Sequence, residues 1–303
     1  RGVGLTIDAE EADRLEMSLD IIEAVARDPA LRGWDGLGMA VQAYQRRATA
    51  TIAWADALGE AAGRRITVRL VKGAYWDTEI KRAQEQGLSD YPLFTRKAGT
   101  DVSYMACAKA MLGARHLYPA FATHNALTVA TVLEWAGERR DFEFQRLHGM
   151  GIGLYERLIA DRGVNARVYA PVGGYRDLLA YLVRRLLENG ANTSFVNQLA
   201  DASISDEELL ADPVAKVLAV DCSPNPAIVG PPAIYGAARR NSAGIDFSDA
   251  ATLARLQGAM AQAWARPQAS GPIISGRLVE GAAQPVRDPA DVRRTAGLVA
   301  PAT

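Results

Sequence analysis

Six short apolar runs recur along the chain, and each stops abruptly in polar or glycine residues: GLTIDAEE, LGMAVQAYQ, ITVRLVKGAYW, AFATHNAL, FEFQRLHGMG and ARVYAPVGG. Near-continuous apolar character over so few residues is the mark of strands buried on both faces. Helical patterns lie between them, at roughly Glu11–Arg27, Thr49–Ala62, Thr78–Gln86, Ser103–Ala114, Leu127–Ala136 and Leu154–Ala160. Strand–helix alternation of this kind predicts a parallel sheet with helices packed outside it.

The polar residues are placed unevenly on this frame. Asp8, Gln42, Lys72, His124, Asn125, His148 and Tyr169 all fall at, or just past, the carboxyl end of a predicted strand. In barrels and open parallel sheets that edge is where ligands bind. Each residue also has a structural reading. Asp8 with Glu11 reads as a helix cap, Lys72 as a loop lysine, and the two histidines as satisfied structural groups. Gln42 stands inside an apolar run and needs a hydrogen-bond partner, which nearby backbone would supply.

Composition removes several function classes. The chain has 303 residues, 49% of them hydrophobic, with 34 basic against 35 acidic side chains. This balance gives no electrostatic case for nucleic acid or an anionic membrane. No apolar run reaches the roughly 18 residues of a membrane span. Cys107 and Cys222 are too few for a disulfide framework or a zinc site, so a reducing cytoplasm is the expected setting. There is no GxSxG, HExxH or GxxxxGK[ST] motif, and GMGIG would need glycine at Leu154 to read as GxGxxG. His116, His124 and His148 lack ligand spacing, so no metal is expected.

The stretch YLVRRLLENGANTSF carries two adjacent arginines on an apolar helix. Leu179, Leu182, Val183, Leu186 and Leu187 repeat at the spacing of a buried stripe. Tyr181, Arg184, Arg185 and Glu188 share the opposite face. Two readings stay open for that face: a solvated surface with a weak Arg/Glu pair, or a clamp in which planar guanidiniums grip a carboxylate.

These residues resemble the proline dehydrogenase domain of the bifunctional proline utilization A flavoproteins. The matching motifs are IDAEEADR, VQAYQ, RLVKGAYWD, TRK at Thr95–Lys97, FATHNA, FEFQ with LHGMG, YAPVG and YLVRRLLENGANTSF, in order from about Gly4 to Pro213. The resemblance implies a distorted (β/α)8 barrel of the TIM type that holds FAD non-covalently. It implies oxidation of L-proline to Δ1-pyrroline-5-carboxylate by hydride transfer to flavin N5, with electrons passing on to a membrane quinone. Arg184 and Arg185 match the family's substrate-carboxylate clamp. Tyr169, Tyr181 and Leu70 match residues walling the proline ring, and Asp8 an acidic member of the active-site network. Arg69 matches a residue near flavin N5. Gln42, Val71, Lys72, Gly73, Ala74, Trp76, Thr123, His124, Asn125, Gln145 and Leu147 match flavin contacts. Thr95, Arg96, Lys97 and Glu188 match positions nearer the other end of FAD. A cytoplasmic protein with a peripheral contact at the inner membrane follows from the same resemblance.

Both ends of the chain differ from a closed barrel. The family has two further strands before the first run, the second bearing a lysine for the substrate carboxylate, and no residue here matches it. Six of eight strands would leave two open parallel edges, so a preceding segment of the same polypeptide is expected to fill the gap. The expected organisation is a barrel at 1–213, a linker at 214–246 and the beginning of an aldehyde dehydrogenase domain at 247–303. DCSPNPAIVGPPAIYG reads as linker or extended wrap, 247–265 as helix, and ISGRLVEGAAQPVRDPADVRRTAGLVA resembles the opening strands of that second enzyme. Cys222 does not match its nucleophile, so no aldehyde dehydrogenase activity is expected of this chain. Two alternatives stand beside the leading reading: a catalytically incomplete structural fragment, and a different β/α-barrel enzyme.

Overall fold

The computed structural model describes residues 2–190, 195–265, 268–279 and 281–302, without the side chains of 187–190, 196, 197 and 200. The chain divides into two compact units, Arg1–Ile245 and Asp246–Thr303.

All six runs are strands of one parallel sheet, ordered as in the chain: β1 (Leu5–Ile7), β2 (Leu37–Gln42), β3 (Ile66–Val71), β4 (Leu117–Ala122), β5 (Glu143–Leu147) and β6 (Asn165–Tyr169). Each predicted strand-end residue follows suit. Asp8, Lys72 and His148 come directly after β1, β3 and β5, and Gln42 and Tyr169 are the last residues of β2 and β6. His124 and Asn125 lie just past the end of β4.

Helices α1 (Leu15–Ala26), α2 (Ala48–Ala62), α3 (Trp76–Glu85), α4 (Lys97–Gly113), α5 (Ala126–Ala136) and α6 (Ile152–Arg162) connect the strands. α7 (Tyr175–Gly190) follows β6. The period-2 alternation of side chains splits each strand between two faces. Leu37, Met39 and Val41 of β2, Ile66, Val68 and Leu70 of β3, Phe121 and Phe144 pack with Ile52, Ala55, Leu58, Tyr104 and Met111 in one buried layer between sheet and helices. Phe121, Phe142 and Phe144 form an aromatic triangle there, with centroids 5.7 to 5.9 Å apart. The opposite parity carries Gln42, Arg69, Val71, Gln145 and Leu147 to the concave side.

Leu70 is fully buried in the helix-facing layer, on the other side of β3 from Arg69 and Val71. The expected buried stripe of α7 is corrected at four of its positions: Leu179, Leu182, Val183 and Leu186 are exposed, Leu186 to 71%, while the Leu187 side chain lies outside the described residues. The face of α7 that is covered is that of Tyr181, Arg184 and Arg185.

After α7, helices α8 (Phe195–Ala200), α9 (Asp206–Leu209) and α10 (Pro213–Leu218) lead to a proline-rich segment laid against α3 and α4. Arg96 Nε donates to the Ser223 carbonyl (2.8 Å), Asn225 N–H to Thr95 Oγ1 (3.0 Å), and the Tyr91 hydroxyl to the Val229 carbonyl (2.6 Å). Asn241 Nδ2 donates to the Gln84 carbonyl (2.9 Å). Within the second unit, α11 (Ala250–Trp264) precedes short strands β7 (Gln268–Ser270), β8 (Ile273–Ile274), β9 (Arg277–Leu278), β10 (Gln284–Arg287) and β11 (Thr295–Val299). β8 and β9 form a hairpin whose two turn residues, Ser275 and Gly276, both have positive φ, as the tightest hairpin turn requires.

Candidate active site at the strand ends

The carboxyl edge of the sheet forms a mouth, and α7 crosses it. Arg69 projects from β3 into the concave side and reaches both flanks. It forms an ion pair with Asp8 past β1, and its guanidinium lies 5.6 Å from the Tyr169 ring centroid at the end of β6. β1 and β6 are the two edge strands, so one side chain spans the width of the sheet.

The loops are tied to each other by Gln42. Its Nε2 donates to the Glu10 carbonyl (2.6 Å) and its Oε1 accepts from Ala74 N–H (3.2 Å). The amide buried in an apolar strand is thus satisfied by backbone, and it joins the β1–α1 loop to the β3–α3 loop. Gly73 sits in the second loop at φ +142, where a side chain would collide with the Tyr44 ring at 2.5 Å. Its peptide is seated on that ring while Gly73 and Ala74 remain exposed. Trp76 Nε1 donates to the Phe94 carbonyl (3.0 Å) and anchors the start of α3.

On the other flank, Asn125 Oδ1 accepts from Thr128 N–H (3.0 Å), capping α5, and Thr123 Oγ1 accepts from Asn125 N–H (3.1 Å). His124 Nε2 accepts from Leu147 N–H at 3.1 Å. Burial, with the nearby Arg146 and Arg185 charges, pushes the His124 pKa down to about 4. The imidazole is therefore neutral near pH 7, and the Nε2 acceptor role assigns its proton to Nδ1. Gln145 is buried on β5, with Nε2 donating to Glu143 Oε1 (2.6 Å) and its carbonyl accepting from the Tyr155 hydroxyl (2.6 Å).

The twin arginines of α7 lean to different sides. Arg184 lies 5.2 Å from the Tyr75 ring centroid, and Arg185 lies 5.3 Å from that of Tyr181. Arg184 Nε is buried without a hydrogen-bond partner among the described residues. A buried guanidinium N–H of this kind fits a planar anion.

Lys72 and Lys97 converge on Asp101 in the first turns of α4; Lys97 Nζ is 3.0 Å from Oδ2, and Lys72 pairs with Oδ1. Burial raises the Asp101 carboxyl pKa, but the two ammonium groups outweigh it and the net shift is downward. Thr95 and Arg96, at the same end of α4, are held by the segment around Ser223–Asn225. The Glu188 side chain lies outside the described residues. His148 is exposed past β5, and His116 belongs elsewhere, 3.6 Å from Asp56. Among the described residues no cluster of three or more His, Cys, Asp or Glu could hold a metal ion.

Residues not singled out from the sequence also belong here. The Tyr75 hydroxyl donates to Glu10 Oε2 at 2.7 Å. Burial, with the Glu10 carboxylate beside it, pushes the Tyr75 pKa up to about 12. The one advance signal for Tyr75 was its position in RLVKGAYWD, directly after the exposed glycine loop. For Asp101 it was the i, i+4 spacing from Lys97.

Among known proteins, residues 1–198 match the family model described as proline dehydrogenase. The bifunctional protein PutA of Klebsiella aerogenes is 48% identical over 98% of this chain, which spans 24% of that protein's length. A crystal structure of a mutant of Bradyrhizobium japonicum proline utilization A overlays with a TM-score of 0.83 at 56% identity, covering 86% of this chain and 27% of that one. Proline utilization A from Bdellovibrio bacteriovorus, in a structure inactivated by N-propargylglycine, overlays with a TM-score of 0.83 at 30% identity, covering 99% of this chain and 31% of that one. The chain thus spans about a quarter to a third of the length of these relatives. With six parallel strands, a basic helix across their carboxyl ends and a family match through residue 198, the chain belongs to the proline dehydrogenase family.

Proposed function

We propose that this chain carries the proline-oxidising part of a bifunctional proline-catabolic enzyme. It would bind L-proline and FAD at the mouth of the sheet and yield Δ1-pyrroline-5-carboxylate, with electrons passing to quinone. The observation that carries the reading is the orientation of α7. It turns two guanidiniums and a tyrosine toward the strand ends and leaves Leu179, Leu182 and Leu186 exposed. A buried guanidinium N–H without a partner is costly, and a substrate carboxylate would complete Arg184 Nε, which has no hydrogen-bond partner among the described residues. N-propargylglycine, the compound that inactivated the Bdellovibrio protein, is a secondary amine acid with the same ionic pattern as proline.

The donor set at the strand ends supports a flavin. An exposed Gly73–Ala74 peptide, neutral His124, the Arg69 guanidinium and Lys72 surround the partly buried Val71 and buried Leu147. Those residues would hold the ring system, with Gln42, Trp76, Thr123, Asn125 and Gln145 behind them and Thr95, Arg96, Lys97 and Glu188 toward the far end. Bound there, the cofactor supplies the two-electron acceptor. The chain's own residues bind and orient. Arg184 and Arg185 grip the acid group, and Tyr169 and Tyr181 pack against the apolar ring, dividing the pocket as proline itself is divided. Arg69, held by Asp8, places positive charge where negative charge develops. α7 covers the mouth and excludes water. His124 is not a base for the substrate ammonium, because its one acceptor nitrogen already takes the Leu147 N–H.

The second unit is proposed as the opening of an aldehyde dehydrogenase domain, in a cytoplasmic protein with a peripheral membrane contact. Among the described residues no helix is long and apolar enough to cross a membrane.

The test uses the full-length protein. It is expected to purify yellow, to release its flavin on denaturation and to oxidise proline. Arg184→Met and Arg185→Met should each raise the proline KM by about 30-fold to several thousand-fold, from a loss of about 2–5 kcal/mol per truncated partner of a desolvated charged pair. Bound flavin should change little. A colourless protein, or a KM unmoved by either substitution, would overturn the reading.

A further inference from the structure

Each of the two arginines proposed as the clamp lies over a tyrosine ring. Arg185 stacks on Tyr181, a residue of its own helix. Arg184 stacks on Tyr75, which belongs to the β3–α3 loop. The geometry of Arg184 therefore depends on a loop, and the loop is held by two further contacts. The Tyr75 hydroxyl donates to the Glu10 carboxylate at 2.7 Å. Gln42 grips the Glu10 carbonyl and the Ala74 N–H at once, locking the two loops in register.

We propose that Glu10 is a positioning residue, whose carboxylate fixes the Tyr75 phenol so that the Tyr75 ring carries Arg184 in place for the substrate acid group. The chemistry favours this arrangement in two ways. A phenol that donates to an anion becomes more electron-rich, which strengthens its face as a platform for a cation. The ring also fixes the guanidinium plane, and Arg184 Nε, buried with no other hydrogen-bond partner among the described residues, stays available for a ligand. Gln42 acts at one remove by holding the Glu10 and Ala74 backbones.

The proposal rests on the reading that Arg184 grips the substrate carboxylate. It is tested in the full-length enzyme with Glu10→Gln, which keeps the shape and removes the charge, with Tyr75→Phe, which keeps the ring and removes the hydroxyl, and with the pair combined. Glu10→Gln should raise the proline KM about 3- to 30-fold, the range a partly to fully desolvated cation–π contact spans. The loss should appear in KM rather than kcat, because the interaction is made equally in ground and transition states. Tyr75→Phe should reproduce it, and the double variant should be no worse than either single one. A merely structural role would lower thermal stability without this non-additive KM signature. Glu10→Gln with wild-type KM beside an impaired Arg184→Met enzyme would overturn the relay alone, as would independent, multiplying effects of the two substitutions. Arg184→Met with wild-type KM would overturn the clamp and the relay with it.

Discussion

Helices α2 and α7 are 15 and 16 residues long and both amphipathic, yet they meet the sheet with opposite faces. α2 buries Ala48, Ile52, Ala55 and Leu58 against the outer side of β2 and β3. α7 leaves Leu179, Leu182, Val183 and Leu186 exposed and covers Tyr181, Arg184 and Arg185. The difference lies in what each helix faces. α2 lies on a surface of Met39, Val41 and Val68, where apolar burial stabilises by roughly 25 cal/mol per Å2. α7 crosses strand ends furnished with Tyr75, His124 and Tyr169. There the Arg184 guanidinium lies over Tyr75, while Arg185 lies over Tyr181 of its own helix; each contact is worth about 0.5–2 kcal/mol, which offsets only part of the cost of desolvating a cation. A helix of the first kind is held by the fold, whereas on the proposed reading one of the second kind would be held in part by the substrate.

The contrast can be broken experimentally, beginning with the largest effect on stability. Ile52→Ala on α2 should destabilise the protein by about 2–4 kcal/mol through lost burial and a residual cavity, seen as a lower denaturation midpoint. Proline affinity should be unchanged in the fraction that stays folded. A large KM change with normal stability would mean that α2 is not simply scaffold.

Asp101→Asn probes α4, which has both characters: Tyr104, Cys107 and Met111 face the core, while Asp101 faces Lys72. Because the folded carboxyl is shifted downward, its contribution is fully present above the unfolded value of about 3.9 and is lost as pH falls through the lower folded value. The variant should be less stable than the parent by about 1–3 kcal/mol at neutral pH. That gap should close only in denaturation curves taken below about pH 4. A gap independent of pH would rule out the ion pair as its source.

The smallest effect belongs to the outer stripe of α7. In this chain, Leu186→Ser should change stability by no more than about 0.5 kcal/mol, as exposed positions do. A loss as large as that of Ile52→Ala would show that the stripe is covered in solution.

Much of this arrangement was legible from pattern alone. Six strands and the row of polar residues at their carboxyl ends follow from short apolar runs with polar terminations, which tertiary context rarely reverses. Helix boundaries were less sharply encoded: α4 begins at Lys97 rather than Ser103, because its first turns carry no apolar repeat and are held by Asp101 instead. The facing of α7 could not be read, since periodicity says that a helix has two sides but not which side meets protein. The Tyr75–Arg184 stack joins residues more than a hundred positions apart, and no local pattern encodes such a contact.

Arg69 carries one more consequence. Among the described residues, the first and last strands of this sheet each pair with a single neighbour. The Arg69 guanidinium, ion-paired to Asp8 and 5.6 Å from the Tyr169 ring centroid, reaches from one flank to the other. On the proposed reading, a ligand that competes for either contact would loosen that bridge between the two flanks of the site.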